Sequence, residues 1–500
     1  MELATVPWRL VLGTLLLAWL LKWLTHRIRF IRAIEKLPGP RLDAPGWNYF
    51  FLGHIGRFLE SLGTIPGYPE IPQMIPIYMG LCNEYKEGLF RLWLFHPYRL
   101  PFALGACFIY DPELVQQLLA KGPILKKHAH IYGVVKPLVG DSLLSSPENA
   151  DWKLHRKLVA ASFQQSLLHT VHELCLQMLD EKVFPSWKEG LKDFELSEWS
   201  SRLALDLIGQ IAFSYAFGGL DHDPHSLYET YHTITVTLSK RTRSLPWMAY
   251  LPTSENRKFR KASKRLNDTV QKVIRRRQQE KEQPNDLLGH LLKSGMSSKH
   301  LFGNVRMMLF AGHDTTATVL TMALWHLGQN PDIQTRLQDE IDQAYQNGNP
   351  SQKDLAKLRL LDGVVKEALR MHAPAGVART NTHEIVLQKS ESGPVHRLPP
   401  GTGIYYFPAW TQTVDDLWEH PHTFQPERSH IGPAYAPFSV GSRNCVGQPV
   451  ALVEVRALLA HLLRNYTVKA GSDTAPPIPC LILNIHPHEV KVDLERRCVS

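Results

Sequence analysis

One cysteine, Cys445, lies in a segment whose residue types suit the binding of an iron atom. Residues 437–449 read Pro-Phe-Ser-Val-Gly-Ser-Arg-Asn-Cys-Val-Gly-Gln-Pro. A thiolate that binds iron needs backbone donors directed at its sulfur, shielding from water and room for a macrocycle. We expect Gly441 and Gly447 to permit close backbone approach and unusual dihedral angles. A helix that begins just after Cys445 would place its positive end near the sulfur and stabilise a thiolate.

Two further side chains of this segment have roles that follow from their positions. Arg443, two residues before the cysteine, can pair with a carboxylate of the macrocycle, and Phe438 can shield the sulfur from water. The alternative interpretation is a buried free cysteine in a glycine-rich turn, which is common for an isolated cysteine.

A second polar group interrupts a long apolar segment. Residues 311–316 read Ala-Gly-His-Asp-Thr-Thr within the predicted helix Ser298–Gln329. An acid followed by a hydroxyl, Asp314 and Thr315, can deliver protons to a reacting group. The alternative is structural: the threonines bond to the helix backbone one turn earlier, and Asp314 pairs with a nearby cation.

Two pairs at helical spacing complete the candidate set. Glu367 and Arg370 lie three residues apart, so they share one helix face and can form an ion pair. Trp152 and Arg156 lie four residues apart in another predicted helix. Taken alone, the first pair is also typical of an ordinary surface ion pair, and the second of an amphipathic helix with one buried aromatic residue.

Helical periodicity dominates from residue 152 onward and must position these residues. The pattern predicts helices over Ala150–Gln164, Leu167–Val183, Glu195–Phe217, Ser254–Glu282, Ser298–Gln329, Pro331–Asn347, Leu361–Met371 and Pro449–Asn465. Strand-like segments are Leu89–Leu94, Ala106–Tyr110, Glu384–Leu387 and Ile478–Ile485. The sequence contains no glycine-rich dinucleotide or phosphate-binding fingerprint, so it encodes no nicotinamide, flavin or nucleotide module.

Composition excludes several classes of protein. The 500 residues are 44% hydrophobic and 21% charged, which excludes a disordered chain, and a mean hydropathy of −0.20 excludes a polytopic membrane protein. The 56 Lys and Arg exceed the 47 Asp and Glu, but no long basic run with interleaved aromatic residues occurs, so nucleic acid is a weak candidate partner. Six cysteines without a Cys-x-x-Cys pair suit neither a disulfide framework nor a zinc site.

The first residues predict a membrane anchor. Leu10–Leu21 carries no charge, tryptophans flank it, and a basic stretch follows. With its flanking cations at the interfaces, Leu3–Leu24 is long enough to cross a bilayer, which takes about 20 residues. The alternative, a cleaved signal peptide, is disfavoured because no small-residue cleavage site follows. We therefore expect residues 1–36 to form an anchor and basic stop, and residues 37–500 to form one catalytic domain in the cytosol.

In chain order, these features resemble the cytochrome P-450 family, the haem-thiolate monooxygenases. The pattern FxxGxRxCxG around Cys445 matches the haem-binding signature of that family, and WxxxR, AGxDTT and ExxR precede it in the family's order. The resemblance covers essentially residues 37–500. It implies a mainly α fold with small β-sheets (α+β) that holds haem b (iron protoporphyrin IX) through a Cys445 thiolate and uses O2 as co-substrate.

The resemblance also implies roles for the matching residues. Thr315 would hydrogen-bond dioxygen, and Asp314 would relay protons. Gly312 would leave room over the iron. Glu367 and Arg370 would join Arg428 in a buried triad that serves folding rather than chemistry. The tryptophan and the arginines of the cofactor-binding set would donate to the haem propionates; that set comprises Cys445, Arg443, Phe438, Gly441, Gly447, Trp152, Arg156, Arg379, Ala311 and Gly312.

By the same resemblance, the chain is a monooxygenase anchored in the endoplasmic reticulum membrane. It would insert one atom of O2 into a lipophilic substrate of fatty-acid, terpenoid, steroid or secondary-metabolite type. Its other partners would be membrane lipid and an NADPH-dependent flavoprotein reductase, with cytochrome b5 as a second candidate donor. The segment Trp247–Pro252 would form a second membrane-dipping patch. The expected substrate contacts are mostly apolar; they are Ile131, Tyr132, Val134, Val135, Met307, Met308, Phe310, Ala311, Ala375, Val377, Leu481 and Ile482.

Two other functions stay open. A haem-thiolate isomerase or dehydratase would need neither O2 nor a reductase, and the intact Asp314-Thr315 pair speaks against it. A non-catalytic haem-binding membrane protein would show no turnover that depends on Thr315.

Overall fold

Helices dominate the structure, and small sheets lie beside them. The computed structural model describes residues 8–40, 64–65, 68–72, 75–94, 104–120, 125–221, 223, 226–242, 246–429, 432–471, 478–481 and 484–498. The predicted mainly α fold with small β-sheets is confirmed. The expected substrate contact Ile482 lies outside the described residues, as does the side chain of Leu481.

The helices begin and end close to the predicted bounds. They are Trp8–Ile34, Ile75–Glu84, Pro112–Val115, Ala129–Val139, Ala150–Ser162, Gln165–Met178, Leu196–Phe213, Leu227–Thr242, Ser254–Gln279, Leu287–Lys293, Ser298–Gln329, Pro331–Tyr345, Gln352–Leu355, Arg359–Met371, Pro408–Thr411 and Gln448–Asn465. We call Ser298–Gln329 the central helix. The predicted helix to Phe217 ends at Phe213 because Ser214 adopts a left-handed conformation with φ 46°.

The largest sheet of the described residues has five strands. In spatial order they are Leu89–Leu94, Leu104–Ile109, Gly403–Tyr406, Val377–Thr380 and Lys126–Lys127. A three-stranded sheet contains Tyr466–Ala470, Lys491–Arg496 and Leu191–Glu195. The two-stranded pairs are Thr64–Ile65 with Tyr68–Pro72, Ile385–Gln388 with Val395–Leu398, and Ile478–Leu481 with Ile485–His488. The last pair, which we call the late hairpin, shows that the predicted strand Ile478–Ile485 is two strands joined by a turn.

The central helix is buried on all sides except at its middle. Between Gly303 and Leu327, every residue is buried apart from Ala311, Gly312, Asp314 and Thr315. A helix that is apolar all round belongs in the interior of a large protein. The four partly accessible residues therefore mark the middle of this helix as its one accessible stretch between Gly303 and Leu327.

The N-terminal helix, Trp8–Ile34, is one uninterrupted element with two environments. Its leucines between Leu12 and Leu24 are exposed, whereas Ile31 and Ile34 are fully buried in a cluster with Trp93 of the five-stranded sheet. The last turns of this helix therefore belong to the packed body, although residues 1–36 were expected to form an anchor separate from it.

None of the helices within the described ranges combines the length and the apolarity that crossing a membrane requires.

A buried ion pair joins the helix Arg359–Met371 to the loop that precedes the Cys445 segment. Arg370 and Glu367 are both 0% exposed, and two N–H···O bonds of 2.8 Å connect them. Arg370 also donates to the backbone carbonyls of Gln412 (2.6 Å) and Pro421 (2.7 Å). Arg428 contributes a third contact, with its Nε 3.3 Å from Glu367 Oε1. The three residues predicted to form a triad are therefore in contact.

We expect Arg370→Met to lower the free energy of unfolding by about 3–5 kcal/mol, because it leaves the Glu367 carboxylate buried without its main partner. Urea denaturation followed by circular dichroism measures the change. The control is Lys357→Met, which removes a pair of the same spacing with Asp354 whose side chains are 75% and 52% exposed. It should change the free energy of unfolding far less than Arg370→Met does, because solvent screens an exposed pair. Similar losses in the two variants would contradict the assignment.

Candidate functional site

The loop around Cys445, residues 437–449, which we call the cysteine loop, lies where three parts of the core meet. Phe438 packs against the largest cluster, Val440 against the cluster beneath the five-stranded sheet, and Val446 against the cluster that contains the central helix residues Met307 and Phe310. The loop therefore contacts both the sheet side and the helical side of the molecule.

The backbone of the cysteine loop is held in a tight turn. The Cys445 N–H donates to Phe438 O at 3.0 Å, and the loop contains two residues with left-handed backbone, Ser439 (φ 62°) and Gly441 (φ 78°). The helix Gln448–Asn465 begins three residues after the cysteine. This position confirms the predicted helix start.

The two glycines of the loop differ in what they make possible. A Cβ on Gly441 would lie 2.0 Å from Leu119 O, and its φ of +78° is unfavourable for other residues, so the loop requires glycine there. The expectation of unusual dihedral angles is wrong for Gly447, whose φ is −83°. A Cβ on Gly447 would meet only Cys445 Sγ, at 3.8 Å. This glycine leaves space beside the sulfur rather than permitting an unusual backbone.

Cys445 is surrounded by protein and yet accessible. Its side chain is exposed. Desolvation by the surrounding protein nevertheless raises the pKa of the thiol, whereas the backbone N–H groups of Gly447 and Gln448 and the guanidinium of Arg156 lower it. Neighbouring protein desolvates the sulfur, but part of the side chain stays accessible. A sulfur in this position faces a concave space.

Two of the accessible residues of the central helix have specific contacts. A Cβ on Gly312 would lie 2.7 Å from the side chain of Ile208, so the space beside this glycine is filled by the neighbouring helix Leu196–Phe213. Gly312 thus permits close packing of the two helices, and the room that it is expected to leave over an iron stays a prediction. Thr315 Oγ1 donates to Ala311 O at 2.8 Å, which is the backbone bond of the structural alternative.

The structural alternative expected Asp314 to pair with a nearby cation. Within the part of the chain that the structure describes, its carboxylate contacts no lysine or arginine. Its Oδ2 accepts from Asn484 Nδ2 at 2.8 Å, and its Oδ1 lies 3.4 Å from His486 Nδ1. Asn484 lies in the turn of the late hairpin, and His486 lies in its second strand. Nothing in the sequence predicted them, because no local spacing connects residue 314 with this hairpin.

A group of cations converges on one side of the cysteine loop. Lys127 and Arg379 are directly opposite each other on neighbouring antiparallel strands, a placement that is unfavourable for like charges. Both donate to Tyr132 Oη, at 3.2 and 2.9 Å. Burial, together with the charges of Arg379 and Arg443, lowers the pKa of Lys127 well below its ordinary value. The sequence analysis missed Lys127 as a candidate, since no motif marks it.

Arg443 extends this group toward the helix Ala150–Ser162. Its guanidinium lies over the ring of Trp152 (3.6 Å to the centroid), donates to two backbone carbonyls, and is 3.4 Å from Glu148. Burial lowers the pKa of Arg443 to about 10. Trp152 Nε1 donates to Leu143 O at 2.9 Å, and Arg156 donates to Asn444 O at 3.0 Å. Arg379, Glu148 and Arg443 line one cleft.

The donor set fits a group that carries carboxylates. Lys127, Arg379 and Arg443 lie close together with Glu148 as the one carboxylate that the structure places among them. Desolvated cations of like charge disfavour each other unless an anion joins them. A haem contains an iron that can bind a thiolate and carries two propionates. It therefore matches an accessible sulfur beside such a group of cations.

Comparison with known proteins points to one family. The model of the family described as Cytochrome P450 matches residues 81–492. The chain is 26% identical to the human protein Cytochrome P450 4F11, with 93% of this chain and 91% of that protein covered. It is 27% identical to human Cytochrome P450 4F12, again with 93% of this chain and 91% of that protein covered. Identity to Cytochrome P450 4c21 of Blattella germanica is 26%, over 82% of this chain and 88% of that protein.

We expect Gly441→Ala to destabilise the protein more than Gly432→Ala. Both glycines have positive φ, +78° and +100°, but a Cβ on Gly432 meets nothing within 4 Å, whereas one on Gly441 collides with Leu119 O. Gly432→Ala should therefore cost only the backbone penalty of about 1–2 kcal/mol. Urea denaturation of both variants measures the difference. Equal losses would mean that the contact with Leu119 does not shape the loop.

Proposed function

This chain belongs to the cytochrome P450 family and is therefore a haem monooxygenase, and from that premise we propose which residues hold the haem, what is oxidised and what supplies the electrons. Cys445 provides the axial thiolate. The observation that carries the proposal is that Cys445 is accessible, lies beside the backbone N–H groups of Gly447 and Gln448, and stands next to a partly buried group of cations.

The cation group holds the propionates. Lys127, Arg379 and Arg443 are the donors best placed for this, because their charges face one another and Glu148 balances only one of them. Arg156 has a double role, since it also lies close enough to Cys445 to favour the thiolate. Trp152 acts mainly as the surface on which Arg443 lies.

A haem ligated by a thiolate supplies the activation of O2 for insertion of one oxygen atom into an organic substrate. The protein must deliver protons at that place, because the second oxygen atom leaves as water. Asp314 and Thr315 are partly accessible in the middle of an otherwise buried helix. Asp314 can carry a proton on its carboxylate, and Thr315 can pass one through Oγ1 once its bond to Ala311 O opens.

The substrate is a lipophilic small molecule. The central helix and the helix Ala129–Val139 present apolar side chains to the same cluster of the core, among them Val135, Met307, Met308 and Phe310. Apolar walls with few polar groups are typical of small-molecule pockets. Fatty-acid, terpenoid, steroid and secondary-metabolite compounds all meet this requirement.

The electrons come from an NADPH-dependent flavoprotein reductase, with cytochrome b5 as a second donor. The helix Ala150–Ser162 contacts the cysteine loop through Arg156 and exposes Lys153 and Lys157 to solvent. Exposed cations beside the cofactor would attract an acidic partner surface and increase the rate of association.

The chain is held at the endoplasmic reticulum membrane through its N-terminal helix. That helix exposes leucines on all sides over Leu12–Leu24, and such an apolar surface favours a lipid environment. A second patch points outward from the turn Pro246–Tyr250, where Trp247 is 58% exposed and Tyr250 is 84% exposed. The catalytic body then lies on the cytosolic side.

We expect Cys445→Ser to abolish the absorption spectrum of thiolate-ligated haem, since a serine hydroxyl does not supply a thiolate. The control is Cys498→Ser, which changes the other exposed cysteine of the described residues and should leave the spectrum intact. Titration of the intact protein with fatty acids, terpenoids and steroids then identifies the substrate class by its spin-state shift. A thiolate spectrum in Cys445→Ser would overturn the proposal, whereas NADPH-independent turnover of a hydroperoxide would favour the isomerase or dehydratase alternative.

Removal of residues 1–26 should release much of the protein from membranes while the haem spectrum persists. A truncation of residues 1–36 also deletes Ile31 and Ile34, which are buried against the sheet, so this longer deletion should in addition lower the thermal stability. Flotation with vesicles and thermal melts separate the two effects. Undiminished membrane binding of the shorter truncation would assign the main contact to the patch around Trp247.

A further inference from the structure

The carboxylate of Asp314 is held from outside its own helix. One oxygen accepts from Asn484 Nδ2 at 2.8 Å, and the other lies 3.4 Å from His486 Nδ1. Both side chains are supplied by a segment that is itself fixed, since the Ile485 N–H donates to Pro374 O at 2.7 Å and Ile485 is buried beside Tyr405 and Trp410. The late hairpin therefore sets the orientation of this carboxylate.

The contacts of His486 determine which ring nitrogen carries the proton. Thr318 Oγ1 lies 3.3 Å from His486 Nδ1, but its only hydrogen is used in the 3.0 Å bond to Asp314 O. Toward the imidazole, that hydroxyl can therefore only accept. The second neighbour of Nδ1, Asp314 Oδ1, is also an acceptor when the carboxylate is ionised. With Thr318 donating to Asp314 O and Asp314 ionised, both neighbours of Nδ1 are acceptors, which favours N–H at Nδ1 and leaves Nε2 to accept a proton.

Other charged groups near Asp314 do not compete for this role. His313, the adjacent residue, is buried, and burial lowers its pKa, so it stays neutral; its Nδ1 contacts Leu309 O. Within the described residues, no lysine or arginine forms an ion pair with Asp314. The side chain of His486 keeps 18% of its surface exposed and can exchange protons with water.

We propose that His486 is the residue that resupplies Asp314 with protons, and that Asn484 holds the carboxylate in place for the transfer. Water protonates Nε2, the imidazolium passes the Nδ1 proton to Asp314 Oδ1, and the ring is left neutral with its proton on Nε2. Release of the Nε2 proton to water and uptake of a proton from water at Nδ1 then restore the starting tautomer. This inference rests on the proposed role of Asp314, and it adds a path that enters from the late hairpin.

The tautomer can be measured without turnover. The ¹⁵N nuclear magnetic resonance signals of the histidine rings are recorded on labelled holoprotein in its diamagnetic carbon monoxide complex. The signals of His486 are identified because they are lost in His486→Asn. The expected result is a proton on Nδ1, and Thr318→Val should shift the tautomer population toward Nε2–H because it removes one acceptor. A ring with Nδ1 unprotonated in the unmodified protein would overturn the proposal.

Two substitutions at position 486 separate relay from positioning. His486→Asn keeps an N–H donor near Asp314 but cannot take up a proton, and His486→Leu loses both functions. If His486 is a relay, both variants slow NADPH-dependent turnover by about tenfold or more and enlarge the solvent isotope effect, while the spin-state titration with substrate is unchanged. Normal turnover in His486→Asn would overturn the relay and leave only a positioning role.

A control and a reference variant complete the test. Lys491→Gln changes an exposed side chain shortly after the late hairpin and should behave like the unmodified protein. Asp314→Asn should slow turnover at least as much as His486→Asn does. If Asp314→Asn has no effect, the proposed function of Asp314 fails; if it slows turnover but His486→Asn does not, only the role of His486 fails.

Discussion

A cysteine sulfur that binds the iron of a flat macrocycle needs backbone on one side and open space on the other. The cysteine loop meets this requirement because its neighbours are divided: Gly441 touches the carbonyl of Leu119, and Gly447 adds no side chain beside Cys445 Sγ. Each feature is costly by itself. The left-handed backbone of Ser439 and Gly441 and the desolvated thiol persist only because three packed clusters of the core hold the loop from different directions.

The fold also holds charged residues of the site in an arrangement that is unfavourable by itself. Lys127 and Arg379 are brought together by strand pairing, so their repulsion is built into the five-stranded sheet. Tyr132 accepts a hydrogen bond from both cations. On the proposed assignment of these cations to the propionates, haem binding relieves the remaining repulsion and so contributes to the stability of the fold as well as to its chemistry. Binding that is selective for the native state increases its stability in this way.

How much the sequence could predict depended on the distance along the chain between interacting groups. Contacts within one helix or one loop, such as Glu367 with Arg370 or the helix start after Cys445, are fixed by local spacing and were predicted. The packing of Gly312 against Ile208 was not predicted, because the pattern of one helix does not reveal which residue of another helix lies beside it. Lys127, Asn484 and His486 were missed for the same reason, since only strand pairing and hairpin placement bring them to the site.

Several long-range contacts in this protein are made by arginines that bind backbone carbonyls. Arg370 contacts Gln412 O and Pro421 O, and Arg443 contacts Leu143 O and Ser146 O. A guanidinium has five donors and no acceptor, so one side chain can satisfy several carbonyls that lack a partner in regular structure. The loops that carry the site contain little secondary structure of their own. Their positions are consequently set by buried cations, which explains why residues with no part in the chemistry are needed to hold the chemistry in place.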